Sequence, residues 1–251
     1  MRARTLAENS TPAAAECGGV PRLAGRLPEL SRNTAKRSRK GRLVVCHAVL
    51  KPRAQRMLGL LIPTHPHWVE TASADLPALL SDHAHCEIKA AQSALSLVAR
   101  YAGEMPNLVE PLTALAREES EHFRLVHEQL DRRGERLGLP ASDGYVTKLL
   151  AVARTNRHDD YPPLLDKLLV AALIEGRSCE RFRLLAEHLP HADLRAFYRD
   201  LMVSEARHFT LFCTLASDAY GREATRSRLA MLAEREAEIV KHLSVGPQVH
   251  G

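Results

Sequence analysis

The chain has 251 residues, 45% of them hydrophobic and only 4% aromatic, with 35 Lys and Arg against 30 Asp and Glu. The net charge of +5 averages two unlike parts: residues 1–56 carry 13 basic residues against 3 Glu, and residues 57–251 carry 22 against 27. No run approaches the roughly 18 apolar residues of a membrane span, and the odd set Cys17, Cys46, Cys86, Cys179 and Cys213 has no Cys-x-x-Cys pair, which excludes a membrane protein and a disulfide scaffold and points to a reducing cytoplasm.

Taken in chain order, residues 1–56 are rich in Arg, Ser, Pro and Gly and hold one short apolar run, Leu43 to Leu50. They read as a disordered basic leader. Such a composition suits an organelle transit peptide or a polyanion-binding arm. Alternatively, translation starts at Met57, which directly precedes the first apolar stretch of the remaining domain, residues 57–251. From about Leu76 the apolar residues recur at helical spacing, and strand alternation is absent. The pattern predicts helices at 76–101, 108–133, 144–155, 161–188, 191–217 and 222–242. Gly103 and Pro106 separate the first pair, Gly134 and Gly138-Leu-Pro140 end the second helix, and Ser142 or Asp143 can cap the third. Pro162 and Pro163 open the fourth helix, and Pro190 divides it from the fifth. The tight connections predict two antiparallel hairpins, with one long crossover, residues 134–160, between them. That is an all-α, ferritin-like four-helix bundle with an extra C-terminal helix.

Each predicted hairpin repeats one arrangement of polar residues. Glu87 precedes Glu119-Ser-Glu-His122 by 32 positions, and Glu175 precedes Glu205-Ala-Arg-His208 by 30. A single Glu-x-x-His is unremarkable in a chain with 20 Glu and 13 His; its surroundings give it weight. The stripes read Leu80, His83, Glu87, Ala91; Leu115, Glu119, His122, Val126; Leu168, Ala171, Glu175, Cys179; and Leu201, Glu205, His208, Phe212. All six polar residues interrupt apolar faces. Burying an ionised carboxylate without a partner costs several kcal/mol, so four together call for a cation. Two metal ions would supply it, and carboxylate with imidazole suits iron or manganese. Glu118, Glu121 and Glu180 fall off the stripes and fit a solvated face better. Glu180 is the rival of Glu175, but it lies about 140° round the helix, and its offset of 25 matches the first hairpin less well.

The stretches Asp82-His-Ala-His-Cys-Glu87, Ala94-Leu-Ser-Leu97, Leu115-Ala-Arg-Glu-Glu-Ser-Glu-His122, Ile174-Glu-Gly-Arg-Ser-Cys-Glu-Arg-Phe182 and Ser204-Glu-Ala-Arg-His208 resemble the MiaE family of tRNA 2-methylthio-N6-isopentenyladenosine hydroxylases. The resemblance runs from about Leu60 to about Val240, with Arg177 to Phe182 its most specific element. Glycine stands at position 176 where the family pattern leads us to expect alanine, and the basic leader has no counterpart. The resemblance implies an O2-dependent di-iron monooxygenase that hydroxylates the isopentenyl group of ms2i6A beside the anticodon of tRNA. It implies two iron ions held by Glu87, Glu119, His122, Glu175, Glu205 and His208, with Glu119 or Glu205 as a bridge. It also implies electrons from a separate reductase and no acid or base beyond the metal ligands. The same ligands without the resemblance would suit a ferritin-like ferroxidase or a peroxide-scavenging protein.

An acidic folded part must gather positive charge locally to meet RNA phosphates. Candidates are Arg132, Arg133, Lys148, Arg154, Arg157, Arg177, Arg181 and Arg183. For Arg177 and Arg181, beside Glu175 and Glu180, an ion pair that supports the site is the alternative to a substrate contact. Glu180 could likewise support the site. Tyr198, seven residues before Glu205 and on its face, could line a substrate channel or pack in the core.

Overall fold

The computed structural model describes residues 58–155 and 161–250. The basic leader, Met57, Arg157 and the side chain of Arg154 lie outside the described residues. Among them run seven helices: α1 (Trp68–Ala74), α2 (Leu76–Tyr101), α3 (Val109–Asp131), α4 (Gly144–Thr155), α5 (Pro163–His188), α6 (Ala192–Tyr220) and α7 (Arg222–Lys241), with a 3-10 turn at Pro106–Leu108 and no strand. The six helices expected from periodicity are all present. The seventh, α1, is two turns long, too short to show a periodic stripe, and is anchored by the buried Trp68.

Local chemistry fixes the boundaries. Asp75 accepts from Ala78 N at 3.1 Å to cap α2, and Asp143, of the two expected caps, accepts from Val146 N at 2.8 Å to open α4. Helix α3 ends where Gly134 takes a φ of 70° and Glu135 N reaches back to Leu130 O at 3.0 Å, an arrangement that favours glycine. Prolines 162 and 163 start α5, and Leu189-Pro190 turn the chain out of it.

The buried apolar residues fall into two clusters, one at each end of the bundle. Helix α2 runs from the cluster of Leu79, Leu80 and Ala84 to that of Ala91, Ala94 and Leu97. Helix α3 returns, from Leu112 and Leu115 to Val126 and Leu130, while α5 also runs from the second cluster (Leu168, Leu173) to the first (Phe182, Leu185). Helix α6 goes back, from Leu194 and Leu201 to Phe212 and Leu215. Thus α3 and α5 point the same way, and the chain between them must travel the length of the bundle, which is why the crossover is long. On every bundle helix the break between the clusters is polar: Glu87, Glu119 with His122, Glu175, and Glu205 with His208.

Helix α7 closes on α4 and α5 through buried charge. Arg228 grips Asp166 with two parallel bonds, Nε to Oδ1 at 2.7 Å and Nη2 to Oδ2 at 2.8 Å. Glu236 of α7 accepts from Arg177 Nε and Nη2 at 3.0 and 2.7 Å and from Tyr145 OH at 3.2 Å. A Cβ on Gly176 would stand 3.1 Å from the backbone oxygen of Leu58 and 3.4 Å from the Phe209 ring. The glycine at this position is therefore where the segment entering the bundle passes against α5.

Candidate metal centre

The polar band is built by four helices, each contributing from one turn. Donor atoms of Glu87, Glu119, His122 and Glu205 lie within 4.8 Å of one another, and so do donor atoms of Glu119, Glu175, Glu205 and His208. Glu119 and Glu205 belong to both groups, so the arrangement is two adjacent sites with two shared carboxylates. All six side chains are buried, none more than 6% exposed. The structure brings together the whole set singled out in the sequence. Glu180 is elsewhere: it accepts from Thr64 N at 3.0 Å, from the Thr64 hydroxyl and from Arg177 Nη1 at 2.8 Å. The helix turn between them puts Glu175 in the band and Glu180 outside it.

Within the band, His122 Nδ1 is 3.0 Å from Glu119 Oε2 and 3.7 Å from Glu87 Oε2, and His208 Nδ1 is 2.8 Å from Glu119 Oε1. The last contact lacks hydrogen-bond geometry. Glu119 Oε1, Glu205 Oε1 and both ring nitrogens of His208 are buried without a hydrogen-bond partner. Buried polar atoms are rarely left so, and here they are clustered and consist of acceptors and imidazoles, the donor set of a metal.

Electrostatics tell the same story. Burial pushes the carboxyls of Glu87 and Glu175 well above the usual range, and neighbouring carboxylates add to the effect. Burial also opposes ionisation of Glu119, but His122 and His208 beside it outweigh that and hold it below the usual range. Burial disfavours charge on the two imidazoles, yet Glu119 and its carboxylate neighbours raise His122 to about 10 and His208 to about 11. A metal ion would require these groups deprotonated and would therefore compete with the protons that burial and mutual pairing favour on Glu87, Glu175 and the two imidazoles.

Two neighbours of the band were not singled out by sequence. His83, fully buried, places Nε2 2.6 Å from Glu87 Oε1 and Nδ1 3.4 Å from the Tyr198 hydroxyl. Tyr198 stacks on that imidazole and so reaches the band through His83. Position 83, one turn before Glu87 on the same stripe, was the available signal. Glu118, given to solvent by its place off the stripe, is only about a third exposed, with Oε2 3.3 Å from His208 Nε2 and Oε1 3.9 Å from His122 Nε2. Both imidazoles thus turn Nδ1 to the band and Nε2 toward Glu118. Arg207, exposed on the rim, donates to Glu118 at 2.7 Å and Ser204 Oγ at 2.9 Å.

The basic residues expected to meet RNA are largely engaged elsewhere. Arg177 and Arg181 are buried: Arg177 joins Glu180 and Glu236, and Arg181 donates to Val249 O and lies over the Trp68 ring. They tie the loop before α1, the tail and α7 to α5 and offer no surface to a phosphate. Arg132 pairs with Glu128, Arg133 with Asp193 and Arg183 with Glu187, while Lys148 is exposed.

Comparison with known proteins agrees with this geometry. Residues 49–251 match the family model described as tRNA-(MS[2]IO[6]A)-hydroxylase (MiaE). A tRNA 2-(methylsulfanyl)-N(6)-isopentenyladenosine(37) hydroxylase from Pseudomonas putida is 40% identical over 190 residues, covering 76% of this chain and 88% of that protein. One of the same name from Salmonella typhimurium is 30% identical over 226 residues, covering 71% and 82%. A solved structure, protein 43 with aldehyde deformylating oxygenase activity from Synechococcus, superposes with a TM-score of 0.70 at 44% identity, covering 76% of this chain and 95% of that one. A family match over most of the chain, on a ferritin-like bundle with buried acids and imidazoles gathered in one band, places this protein in the MiaE family of tRNA hydroxylases.

Proposed function

We propose that the polar band holds two iron ions and that this centre hydroxylates the isopentenyl group of ms2i6A beside the anticodon of tRNA, with O2 as co-substrate and electrons from an external reductase. The observation that carries it is the pair of four-residue groups sharing Glu119 and Glu205. Glu87 and His122 would complete one iron site, and Glu175 and His208 the other, with the two shared carboxylates between them. Bound iron supplies the redox capacity to activate O2. The overall reaction puts one oxygen atom into an allylic C–H bond and reduces the other to water, consuming two electrons and two protons.

The chain's own residues prepare the site for this. His83 holds one oxygen of Glu87. Glu118 faces Nε2 of both imidazoles, a charge contact that favours the rings with Nδ1 directed inward. The apolar clusters on either side of the band keep bulk water from the reacting centre. Arg207, beside Glu118 on the rim, is placed to meet a tRNA phosphate. No described helix is long and apolar enough to cross a membrane, and a tRNA substrate supports a cytoplasmic location.

The test is the nucleoside profile of tRNA from a deletion strain carrying plasmid copies of the gene. The wild-type copy should restore the hydroxylated isopentenyl nucleoside. Glu119→Ala, which removes a carboxylate common to both groups, should leave only the unhydroxylated precursor and a protein that binds little iron. Full hydroxylation with Glu119→Ala would overturn the assignment.

A further inference from the structure

A second cluster of metal-binding side chains lies outside the carboxylate band. Cys86 of α2, Asp143 at the start of α4 and His250 of the C-terminal tail place Sγ, a carboxylate oxygen and a ring nitrogen within 4.8 Å of one another. The pairwise distances are informative. Cys86 Sγ is 3.7 Å from His250 Nδ1, and Asp143 Oδ2 is 3.4 Å from the same nitrogen. Ligands around tetrahedral zinc, at about 2.3 Å for sulfur and about 2.0–2.1 Å for nitrogen and oxygen, are separated by about 3.3–3.6 Å. The observed separations are close to those edges.

The arrangement is not that of a nucleophile, base and orienting acid. In such a triad the thiol and the carboxylate occupy opposite nitrogens of the imidazole. Here both face Nδ1, while Nε2 is engaged by Ser178 Oγ at 2.9 Å. A proton held on Nε2 by that bond leaves the Nδ1 lone pair directed at Cys86 and Asp143, the way a neighbouring group prepares a histidine for metal. The ring is buried, 3% exposed, and stacked on Tyr145 at 5.6 Å. Asp143 uses Oδ1 to cap α4, which leaves Oδ2 for the cluster. The tail is held in register by independent bonds: Trp68 Nε1 to Gln248 O at 3.0 Å, Val249 N to Asp82 Oδ2 at 2.7 Å, and Arg181 to Val249 O.

We propose that Cys86, Asp143 and His250 form a zinc site that clamps the C-terminal tail and the start of α4 onto α2. Three protein ligands leave the fourth to solvent, on the half-buried side where Cys86 and Asp143 lie. One thiolate with one imidazole and one carboxylate favours zinc over magnesium or calcium. The site shares no residue with the carboxylate band, so its occupancy does not depend on the hydroxylase reading.

Cobalt(II) separates the two sites, because the carboxylate band contains no sulfur. Added to the metal-free full-length protein, cobalt should give a thiolate-to-metal charge-transfer band in the near ultraviolet. The band should vanish in Cys86→Ser and persist in Cys179→Ser and Cys213→Ser. His250→Ala and Asp143→Asn should each weaken binding, read on the same band, by at least tenfold. Ser178→Ala, which removes only the partner of Nε2, should weaken it by about 10- to 100-fold. Circular dichroism melting checks that each variant is folded, and His250→Ala, in the tail, serves if Cys86→Ser is not. A protein with no such band, or a band that survives Cys86→Ser or His250→Ala, would overturn the proposal.

Discussion

Two clusters of buried charge sit on helix α5 within a few residues of each other, and they are balanced in opposite ways. Around Arg177, the acids Glu180 and Glu236 meet a guanidinium delivered by the chain, with Nη1 2.8 Å from one and Nη2 2.7 Å from the other. Around Glu175, four carboxylates face only two imidazoles, and acceptor atoms are left without partners. The first network brings its own cation, and only Glu236 Oε2 in it is left without a hydrogen-bond partner. The second, on the proposed reading, is completed by cations from solution. Buried acids in a helical bundle are thus structural when an arginine lies within a turn, and a functional site when the nearest bases are histidines shared between them.

Substitutions should separate the two networks. Arg177→Leu removes the guanidinium that Glu180 and Glu236 share, and it should cost about 3–5 kcal/mol in urea unfolding, with or without metal. Glu175→Gln should change the stability of the metal-free protein by less than about 1 kcal/mol, since burial already disfavours charge on its carboxyl and a glutamine has the same shape. The same variant should lose iron and activity. A large loss of metal-free stability in Glu175→Gln would mean that the band is balanced internally, like the arginine network.

The next effect concerns the outer carboxylate. Glu118→Ala removes the group facing both Nε2 atoms and should weaken metal binding about 10- to 100-fold, measured by competition with a chelator. Its ion pair with the exposed Arg207 contributes little, at most about 1 kcal/mol, so the fold should be unaffected.

The pH dependence sharpens the contrast further. In the metal-free protein, His122 and His208 have folded values of about 10 and 11, above the unfolded 6.5, and Glu87 and Glu175 are raised as well. Each raised group binds more protons folded than unfolded. The stability it contributes is complete below its unfolded pKa and is lost as pH rises toward the folded one. Metal replaces those protons, and its affinity grows with pH. The gap in melting temperature between iron-loaded and metal-free protein should therefore widen from pH 6.5 to pH 9; a constant gap would argue against metal at these groups. The smallest effect is at Gly176→Ala, where crowding against Leu58 O should outweigh the helix-propensity gain by about 1 kcal/mol in the urea midpoint.

Much of this was legible in the sequence, and the gaps have physical causes. Periodicity showed the four bundle helices and the acids and histidines interrupting their apolar stripes, because burial and a 3.6-residue repeat are both local properties. It did not show α1, whose two turns are held by Trp68 and the tail bond to Gln248 O. Glu118 was misjudged, since a residue at the stripe's edge can curl its carboxylate under two imidazoles. Arg177 and Arg181 could be named but not placed: their partners Thr64, Glu236 and Val249 are at least 59 residues away in sequence. The Cys86, Asp143 and His250 cluster is drawn from three distant segments and has no spacing signature.

The most direct measurement of the central claim is iron content, with electron paramagnetic resonance, after anaerobic loading with ferrous iron and exposure to O2. The account predicts two irons per chain as a magnetically coupled pair, with little signal from isolated ferric ions. Iron well below two per chain, or a spectrum dominated by isolated ferric ions, would contradict the claim that paired metal ions balance the buried carboxylates.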